Sequence, residues 1–536
     1  MPEHMQCDVA IVGLGPTGAV LANILGRYGW SVIGIEREED LYYAPRAVHF
    51  DDEIMRIFQW CGLAEEIAAS SEPFTQMQFK LTPRGKPVLA MPIGSQDRRY
   101  GHPGAWWFHQ PTLERHFHDG LKRYPGITAL YGTTVRAVTQ DARGATVIAQ
   151  SGGGEVSIRA RYAVGCDGGR SFVRREAGLP LDSADFDEAW VVVDTKTRSG
   201  AKHPTLPRDH QQTCNPAQPV TYVPLAGPYY EFQFMVMGGK SEREATDPAL
   251  VRRQLRDFVD LDTVEITRIA WYKFHALWAG RWRKQRIILA GDSAHQMPPF
   301  LGQGMCSGLR DAHSLGWRLD LVLKGAAGAA LLDDYETERS WHVRHIIRGA
   351  MLLGRVIQTR SRWMALLRNQ LMFTPARLIP PFRRLIYALA NRKRPLGVGC
   401  LGRNHHRLAG QLALQPVVSR ADGVRILLDE ALGRDFAVLA RKGGLDGARR
   451  ALQALRKRLP LKLVEFDAQP SADCIGDADG TLSRWFDRHG IDFMLIRPDR
   501  TIFDAGRARA FDAVAADLAA RLHSPSAHSL PLAAAA

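Results

Sequence analysis

Three glycines near the start of the chain are spaced to bind a dinucleotide. Gly13, Gly15 and Gly18 form a GxGxxG sequence at the end of a short apolar run, residues 8–13. Gly13 permits a tight turn, Gly15 lets the backbone approach a pyrophosphate, and Gly18 lets a helix pack closely on a strand. This pattern predicts a strand that ends in a phosphate-binding loop.

The segments around this loop predict a strand–helix–strand unit. Pro16 and Thr17 complete the loop, residues 19–27 have the pattern of a helix, and residues 30–36 form a second strand that ends in Glu36. The helix N-terminus offers N–H groups and about half a positive charge to a phosphate. Glu36, followed by Arg37, lies about 20 residues on and suits ribose hydroxyls. A plain glycine turn would leave Glu36 unexplained.

Two later strand ends carry further polar residues. Residues 160–165 are an apolar run followed by Asp167, Ser171 and Arg174, and residues 286–291 lead into Asp292. Ligands of open α/β sheets bind at the carboxyl ends of strands. An Asp-Gly turn also suits a hairpin, but the strand before Asp167 and the arginines after it favour a binding site.

The stretch after Asp292 is the most specific in the chain. A loop containing Pro299 leads into a long helix that begins near Gly304, so the Gly304, Met305 and Cys306 amides offer N–H groups to an electron-rich ring edge. His295 has no partner at ligand spacing, so we expect no metal there.

Two other residues are weaker candidates for ligand contacts. Arg46 follows the second strand and could reach the bound cofactor, or it could be a surface arginine. Gln110 lies where helical spacing resumes, so it could contact a ligand or cap the helix.

The rest of the chain indicates several structural units. Period-two alternation over residues 187–275 predicts an antiparallel sheet with a helix near residues 248–259, and residues 73–107 look like another part of a separate sheet. A second GxGxxG at residues 397–402 follows a basic run rather than a strand, so we interpret it as a loop.

The net charge of +14 belongs to one segment. Residues 339–421 contain sixteen Lys and Arg and no Asp or Glu, which leaves the remainder at −2. On a helical projection, one side carries Arg344, Arg348, Arg355 and Arg362, and the other carries Ile346, Ile347, Ala350, Leu353 and Ile357. This pattern favours amphipathic helices with a solvated basic face over a membrane or nucleic-acid surface. Attraction of an anionic substrate is a third interpretation.

Composition argues against membrane-spanning, exported, disulfide-rich and zinc-binding proteins. No apolar run approaches the roughly 18 residues that a membrane span needs, and no leader pattern precedes the first strand. The seven cysteines are scattered without a CxxC, which fits neither a disulfide framework nor a zinc site. We therefore expect a cytoplasmic protein.

Taken together, these motifs resemble the single-component FAD-dependent aromatic hydroxylases. The order Gly13-x-Gly15-x-x-Gly18, Asp167-Gly168, Gly291-Asp292 and Pro298-Pro299 carries the resemblance, and residues 272–311 are most similar to the 3-(3-hydroxyphenyl)propionate hydroxylase branch. The resemblance implies an α/β fold with a Rossmann-like FAD-binding domain, an inserted antiparallel-sheet substrate domain and a thioredoxin-like C-terminal domain without CxxC.

The resemblance also implies domain boundaries. The FAD-binding domain would comprise residues 1–73, 109–184 and 276–345, and the substrate domain residues 74–108 and 185–275. A basic helical segment, 346–394, would precede the C-terminal domain, 395–536.

The same resemblance implies roles for individual residues. Gly13, Gly15, Gly18 and Glu36 would hold the FAD pyrophosphate and adenosine ribose, while Arg46, Gln110 and Asp292 would contact the pyrophosphate and ribityl chain. The Met305 and Cys306 amides would face the flavin pyrimidine ring, and Pro299 would lie near the reacting carbon. Asp167 and Arg174 belong to a motif associated with FAD and the transient nicotinamide site.

The implied reaction converts a phenol, O2 and NADH or NADPH into a catechol through a C4a-hydroperoxyflavin. The pocket must exclude water, or the oxidant is lost as H2O2. A placed base must deprotonate the phenol, and His49, Tyr272 and His275 are the candidates. The expected partners are a phenolic acid, O2 and NAD(P)H, without nucleic acid, and a homodimer is an open possibility.

Three other functions stay open. They are another phenol specificity on this scaffold, a non-hydroxylating FAD dehydrogenase, and a nucleotide-binding module. A flavin-dependent halogenase would carry a WxWxIP sequence, which the chain lacks.

Overall fold

A mixed eight-stranded sheet forms the framework of the first half of the chain. The computed structural model describes residues 3–40, 47–93, 98–390, 396–403 and 406–523. The predicted glycine-loop strand, Glu3–Val12, lies between strands Val32–Ile35 and Gly154–Gly165 and is parallel to both. The remaining strands of this sheet are Ile127–Leu130, Thr134–Gln140, Ala145–Ser151, Arg283–Lys284 and Ile287–Leu289.

Two long helices pack together beside this sheet. The cradle helix, Pro16–Tyr28, follows the glycine loop, and the site helix, Gly304–Leu323, follows the Pro299 loop. A Cβ atom at Gly316 would lie 2.5 Å from the Ile24 side chain, so glycine allows the two helices to approach closely. Further helices of this part are Asp52–Cys61, Ala64–Ala69, Gln110–Leu121 and Phe172–Glu176.

The predicted antiparallel sheet is present, and it starts before residue 187. The inserted sheet has eight strands: Gln76–Lys80, Leu89–Pro92, Leu181–Thr197, His210–Thr213, Val220–Pro224, Tyr229–Met235, Val264–Ala279 and His295–Gln296. Helices Glu242–Ala245 and Pro248–Leu255 lie between its strands in sequence. A separate small sheet joins His49–Asp51, Glu72–Pro73 and Ala105–Trp107.

The acid-free basic segment forms several helices rather than one. The first, Leu331–Ile357, buries Ile346, Ile347 and Ala350 as predicted and continues without a break across residue 345. It ends at Ile357, so the prediction that Arg362 shares a helix face with Arg344 is wrong. The chain continues through helix Arg362–Arg368, a π-helical turn Asn369–Phe373, and helices Thr374–Leu378 and Pro380–Ala390.

The C-terminal part has a seven-stranded mixed sheet. Its strands are Val417–Ser419, Arg425–Leu427, Phe436–Arg441, Leu461–Asp467, Cys474–Gly476, Phe493–Ile496 and Ile502–Gly506. Its helices are Leu428–Leu432, Arg449–Arg456, Thr481–His489 and Phe511–His523, with 3₁₀ turns Asp446–Ala448 and Ala508–Ala510.

A buried ionic cluster joins this C-terminal part to the site helix and to helix Leu331–Ile357. Glu338 is fully buried and accepts hydrogen bonds from Arg497 at 2.9 Å and from the backbone N–H of Cys400 at 2.8 Å. Its carboxylate also lies 2.8 Å from Arg318 of the site helix. The second GxGxxG, residues 397–402, is the predicted loop, and it lies against Glu338 because a Cβ atom at Gly399 would be 2.6 Å from that side chain.

Among the described residues, no helix is both long enough and apolar enough to cross a bilayer. The seven cysteines are unpaired, and six of them are buried.

Candidate active site

The glycine loop has the close backbone contacts that its spacing predicts. Gly13 has a φ of +93°, and a Cβ atom there would lie 2.5 Å from the carbonyl oxygen of Cys166. A Cβ atom at Gly18 would lie 2.0 Å from the carbonyl oxygen of Gly13. Gly15 is different, because a Cβ atom there would meet no protein atom within 4 Å. The loop therefore leaves an open space in front of the cradle helix.

That open space faces unpaired helix N–H groups. Gly15 caps the cradle helix without a side-chain hydrogen bond, Pro16 is its first residue, and the Ala19 N–H makes a 2.9 Å bond to the Gly15 carbonyl. The N–H groups of Thr17 and Gly18 precede that bond, and such N–H groups attract phosphate. The loop therefore fits a pyrophosphate.

Glu36 is fixed at the end of the second strand against this loop. Its Oε2 accepts a hydrogen bond from the Leu14 N–H at 2.8 Å, and its Oε1 accepts one from the Glu38 N–H at 3.2 Å. These bonds leave acceptor capacity for ribose hydroxyls. Arg37 lies differently, since its side chain is 70% exposed and pairs with Glu38 at 3.0 Å.

A histidine that sequence reasoning missed supports the same loop. His118 is buried, and its Nε2 lies 2.9 Å from the carbonyl oxygen of Leu14. Burial lowers the pKa of His118, so the ring is neutral near pH 7 and Nε2 carries the donated proton. His118 lies in the last turn of helix Gln110–Leu121 with no flanking motif, so only the three-dimensional contact reveals it.

Asp167 and Arg174 organise the loop that follows strand Gly154–Gly165. Asp167 accepts hydrogen bonds from the Ser171 hydroxyl at 2.5 Å and the Val173 N–H at 3.0 Å. Arg174 donates to the carbonyl oxygens of Gly169 at 3.2 Å and Ser293 at 3.1 Å. Arg174 therefore connects this loop to the loop that begins at Gly291 and Asp292, which we call the Gly-Asp loop. A cofactor contact of Asp167 stays a prediction.

Thr17 connects the glycine loop to the Gly291-Asp292 strand end. Cβ atoms at Gly291 and Gly308 would lie 2.6 and 2.2 Å from the Thr17 hydroxyl, so both glycines make room for this side chain. Asp292 is exposed at the same strand end. The two predicted cofactor loops thus lie side by side.

A buried carboxylate fixes the Gly-Asp loop to the site helix. Asp311 Oδ2 accepts from the Gly291 N–H at 3.0 Å and lies 2.7 Å from His295 Nε2, while Oδ1 accepts from Arg339 Nε at 2.7 Å. Burial acts to raise the pKa of Asp311, but His295 and Arg339 outweigh it and lower that pKa. His295 is therefore a hydrogen-bonding partner of Asp311 in the protein interior, and sequence reasoning missed the roles of Asp311 and Arg339.

The start of the site helix presents the predicted amides. The Ser307 N–H bonds the Gln303 carbonyl at 2.9 Å, so the N–H groups of Gly304, Met305 and Cys306 precede that bond. The Cys306 thiol is buried, donates to the His49 carbonyl at 3.7 Å, and has a pKa that burial raises. These three amides fit an electron-rich ring edge.

His49 lies against the loop that contains Pro299. Pro299–Leu301 is a short 3₁₀ helix that ends at Gly302, where a Cβ atom would lie 2.4 Å from His49 Nδ1. The Trp107 ring centroid is 6.1 Å from that of His49 and 5.8 Å from that of His210. Burial lowers the pKa of His49 to about 4 and that of His210 to about 3, so both rings are neutral at pH 7. Sequence reasoning missed His210.

Tyr272 and His275 lie on opposite faces of one strand, because side chains alternate along it. Tyr272 is opposite Trp190, whose ring is 6.0 Å from Phe300 of the Pro299 loop. Its hydroxyl accepts from Arg268 at 2.8 Å. His275 instead pairs with Asp187 at 2.6 Å. Of these two candidates, the structure places only Tyr272 on the face toward the Pro299 loop.

Gln110 and Arg46 are the other two residues predicted to contact the cofactor. Gln110 is buried, accepts from the Ala47 N–H at 2.8 Å and donates to Glu114 at 2.6 Å, so it ties the chain at Ala47 to the start of helix Gln110–Leu121. Arg46 lies outside the described residues.

A pair of buried carboxyls lies on the Tyr272 face of the inserted sheet. Asp194 is opposite both Glu231 and Arg268, and Arg268 donates to Asp194 at 2.5 Å. Burial, and then the Asp194 charge, raise the pKa of Glu231 to about 8. The pair therefore holds a proton at neutral pH. The alternating pattern of strand Tyr229–Met235 predicts which of its side chains share a face, but it does not predict that Glu231 pairs with Asp194.

The comparisons with known proteins agree with this geometry. Residues 6–350 match the family described as "FAD binding domain", and residues 410–521 match the "HcaD C-terminal domain". The chain is 36% identical to the "3-(3-hydroxy-phenyl)propionate/3-hydroxycinnamic acid hydroxylase" of Mycobacterium sp. (strain JLS), over 97% of this chain and 93% of the relative. Identity to the protein of that name from Klebsiella pneumoniae (strain 342) is 33%, covering 92% and 91%.

Solved structures show the same fold at lower identity. The flavin-dependent monooxygenase PieE, solved with FAD and substrate, superposes with a TM-score of 0.81 at 22% identity, covering 98% of this chain and all of PieE. Aklavinone-11 hydroxylase, solved with FAD and aklavinone, gives 0.78 at 22% identity, over 97% and 99%.

The open space at Gly15 leads to a first prediction. Gly15→Ala should fold normally, because its φ of −62° suits alanine and the new Cβ meets no protein atom. The methyl group should occupy space needed by a pyrophosphate and weaken FAD binding about tenfold or more. FAD titration and thermal unfolding of the apoprotein measure the two effects.

Gly152→Ala is the matched control, since a Cβ there also meets no protein atom. Unchanged FAD affinity in Gly15→Ala would contradict the assignment of this loop.

The buried carboxyl pair leads to a second prediction. Because the folded-state pKa of Glu231 is raised, the folded chain retains a proton that the unfolded chain releases between about pH 4.5 and 8. The free energy of unfolding should therefore fall with rising pH across that window, by up to about 1.4 kcal/mol per unit from this site. Glu231→Gln should flatten the slope in denaturant titrations at several pH values.

Glu265→Gln, at an exposed position of strand Val264–Ala279 in the same sheet, should keep the wild-type slope. An equal slope in the wild type and Glu231→Gln would disprove the retained proton.

Proposed function

Since the chain belongs to the FAD binding domain family that includes the 3-(3-hydroxy-phenyl)propionate/3-hydroxycinnamic acid hydroxylases, we propose that it hydroxylates a 3-hydroxyphenylpropionate-type acid ortho to its hydroxyl group. It is an FAD-dependent aromatic hydroxylase, a flavoprotein monooxygenase. The proposal of this substrate class is carried by one observation, the similarity to these hydroxylases over almost the full length of both chains. NADH or NADPH would supply the electrons, and the branch resemblance favours NADH.

The residues of the glycine loop, of the strand ends at Glu36 and Asp292 and of the start of the site helix fit FAD. We assign the binding of FAD to them. Gly13, Gly15 and Gly18 would leave room for the pyrophosphate, and Glu36 would bind the adenosine ribose. Asp292 would reach the ribityl chain from its exposed strand end. The Met305 and Cys306 amides would face the pyrimidine ring. When bound and reduced, FAD would supply the activation of O2 that allows one of its oxygen atoms to be transferred to the aromatic ring.

We assign the acceptance of the phenol proton to His49. Its ring is neutral at pH 7, it lies against the Pro299 loop, and Trp107 and Phe74 lie beside it with ring centroids 6.1 and 5.9 Å away. A neutral imidazole can take a proton, and aromatic neighbours keep water away. Tyr272 lies on the face toward the same loop and would orient the substrate.

Other aspects of the proposal follow from the resemblance and the cysteines. Seven unpaired cysteines suit a reducing cytoplasm, where we place the protein. We propose that the C-terminal sheet is a thioredoxin-like domain without CxxC and with a structural role. We also propose that the domains have the boundaries predicted from the sequence. We propose further that the protein forms a homodimer.

The purified protein should be yellow, and 3-(3-hydroxyphenyl)propionate should stimulate its NADH oxidation and give a catechol. The measurement is NADH consumption and product mass over a panel of phenols, with and without O2. Product formed without O2 would identify a dehydrogenase instead, and a colourless protein that FAD does not restore would contradict the flavin assignment.

His49→Gln should lower catechol formation by about 10² to 10⁴, the contribution of a placed base. NADH oxidation should continue, because the substitution leaves the FAD-binding loops intact, and H2O2 should replace the catechol. His275→Gln is the matched control, since His275 lies on the face away from Tyr272 and pairs with Asp187. Normal catechol yield in His49→Gln would remove His49 from the mechanism.

A further inference from the structure

The helices between residues 352 and 389 expose a large apolar surface. Ten of the fifteen exposed large hydrophobic side chains in the described part of the chain lie there, each at least half exposed. Trp363 is 82% exposed, and Leu366, Leu367 and Leu371 follow it at helical spacing. Leu378 and Leu385 continue the surface on the next two helices. We call these exposed side chains, together with the arginines among them, the outer face.

The segment that forms the outer face contributes only positive charge, and of its arginines Arg360 pairs with Glu188 of the inserted sheet at 2.5 Å. Arg355, Arg362, Arg377 and Arg384 are exposed within it, and the sequence has no Asp or Glu from residue 339 to residue 421. Its charge is therefore not balanced within the segment. An apolar surface bordered by arginines is typical of helices that lie in a bilayer interface, where Trp also concentrates.

The opposite side of these helices is firmly packed. Phe373 and Ala376 are buried, and the Tyr387 hydroxyl donates to the Ala90 carbonyl of the inserted sheet at 2.5 Å. Arg368 donates to the Cys214 carbonyl at 2.9 Å. The helices are thus attached to the sheet by their inner side, and the exposure of the outer face is a property of the folded protein.

We propose that the outer face binds the surface of a lipid bilayer that contains anionic headgroups. The leucines and Trp363 enter the boundary between headgroups and acyl chains, and the arginines pair with lipid phosphates. The helices lie in the plane of the surface, which agrees with the finding that no described helix is able to span a bilayer.

Charge favours this partner over a second copy of the chain. A two-fold contact would place the same surface on both sides and bring arginines against arginines, because the segment offers no carboxylate. A nucleic acid would satisfy the arginines but would leave the leucines in water. Anionic lipid satisfies both groups. This proposal is independent of the hydroxylase activity.

The test is co-sedimentation of the full-length protein with phosphatidylcholine vesicles, with and without phosphatidylglycerol. We expect binding to the anionic vesicles and weaker binding to phosphatidylcholine alone. Arg377→Gln with Arg384→Gln should lower the partition coefficient about fivefold per arginine, and high salt should reduce wild-type binding. Trp363→Ser with Leu367→Ser should lower it by about tenfold or more.

The matched control is Arg450→Gln with Arg456→Gln, which removes equal charge from a helix of the C-terminal part. We expect this variant to bind vesicles as the wild type does, and all variants to keep FAD and vesicle-free activity. Two results would overturn the proposal. One is that the wild type does not bind anionic vesicles, and the other is that the control substitutions weaken vesicle binding as much as Arg377→Gln with Arg384→Gln does. A concentration-dependent dimer that Trp363→Ser with Leu367→Ser abolishes would assign the outer face to a second copy instead.

Discussion

The carboxylate of Asp311 is the interaction on which the arrangement of the active site depends. It is fully buried, and removing a charge from water costs several kcal/mol unless partners surround it. Its partners come from two separate parts of the chain: residues 291–295, which contribute the Gly291 N–H and His295, and helix Leu331–Ile357, which contributes Arg339. Because Asp311 itself lies on the site helix, its one charge fixes both residues 291–295 and helix Leu331–Ile357 to that helix.

The parts of the fold that could be predicted from sequence are those set by local spacing. The glycine loop, Glu36 and the amides at the start of the site helix follow one another along the chain, and their chemistry depends on backbone geometry that glycine and helix termini specify. Alternation along strands likewise predicted the inserted sheet, because burial of one face imposes a period of two.

The residues that were missed depend on contacts between distant segments. His210 approaches His49 only because its strand pairs with Gln76–Lys80, more than a hundred residues earlier. The pKa of Glu231 is raised by burial in the sheet and by the charge of Asp194 on the adjacent strand, neither of which its own strand specifies. The helix break after Ile357 was also missed, since the amphipathic pattern continues through it. Spacing within one element contains no information about which other element will cover it.

The buried Cys306 has a consequence for the lifetime of the enzyme. Its sulfur lies at the start of the site helix, whose amides we propose to face the flavin, so an oxidant that escapes transfer would be formed near it. Thiolates react with such oxidants, whereas thiols are far less reactive. Burial raises the pKa of this thiol and so keeps the sulfur protonated. The start of the site helix is therefore protected from oxidation by the oxidants that the enzyme itself would generate.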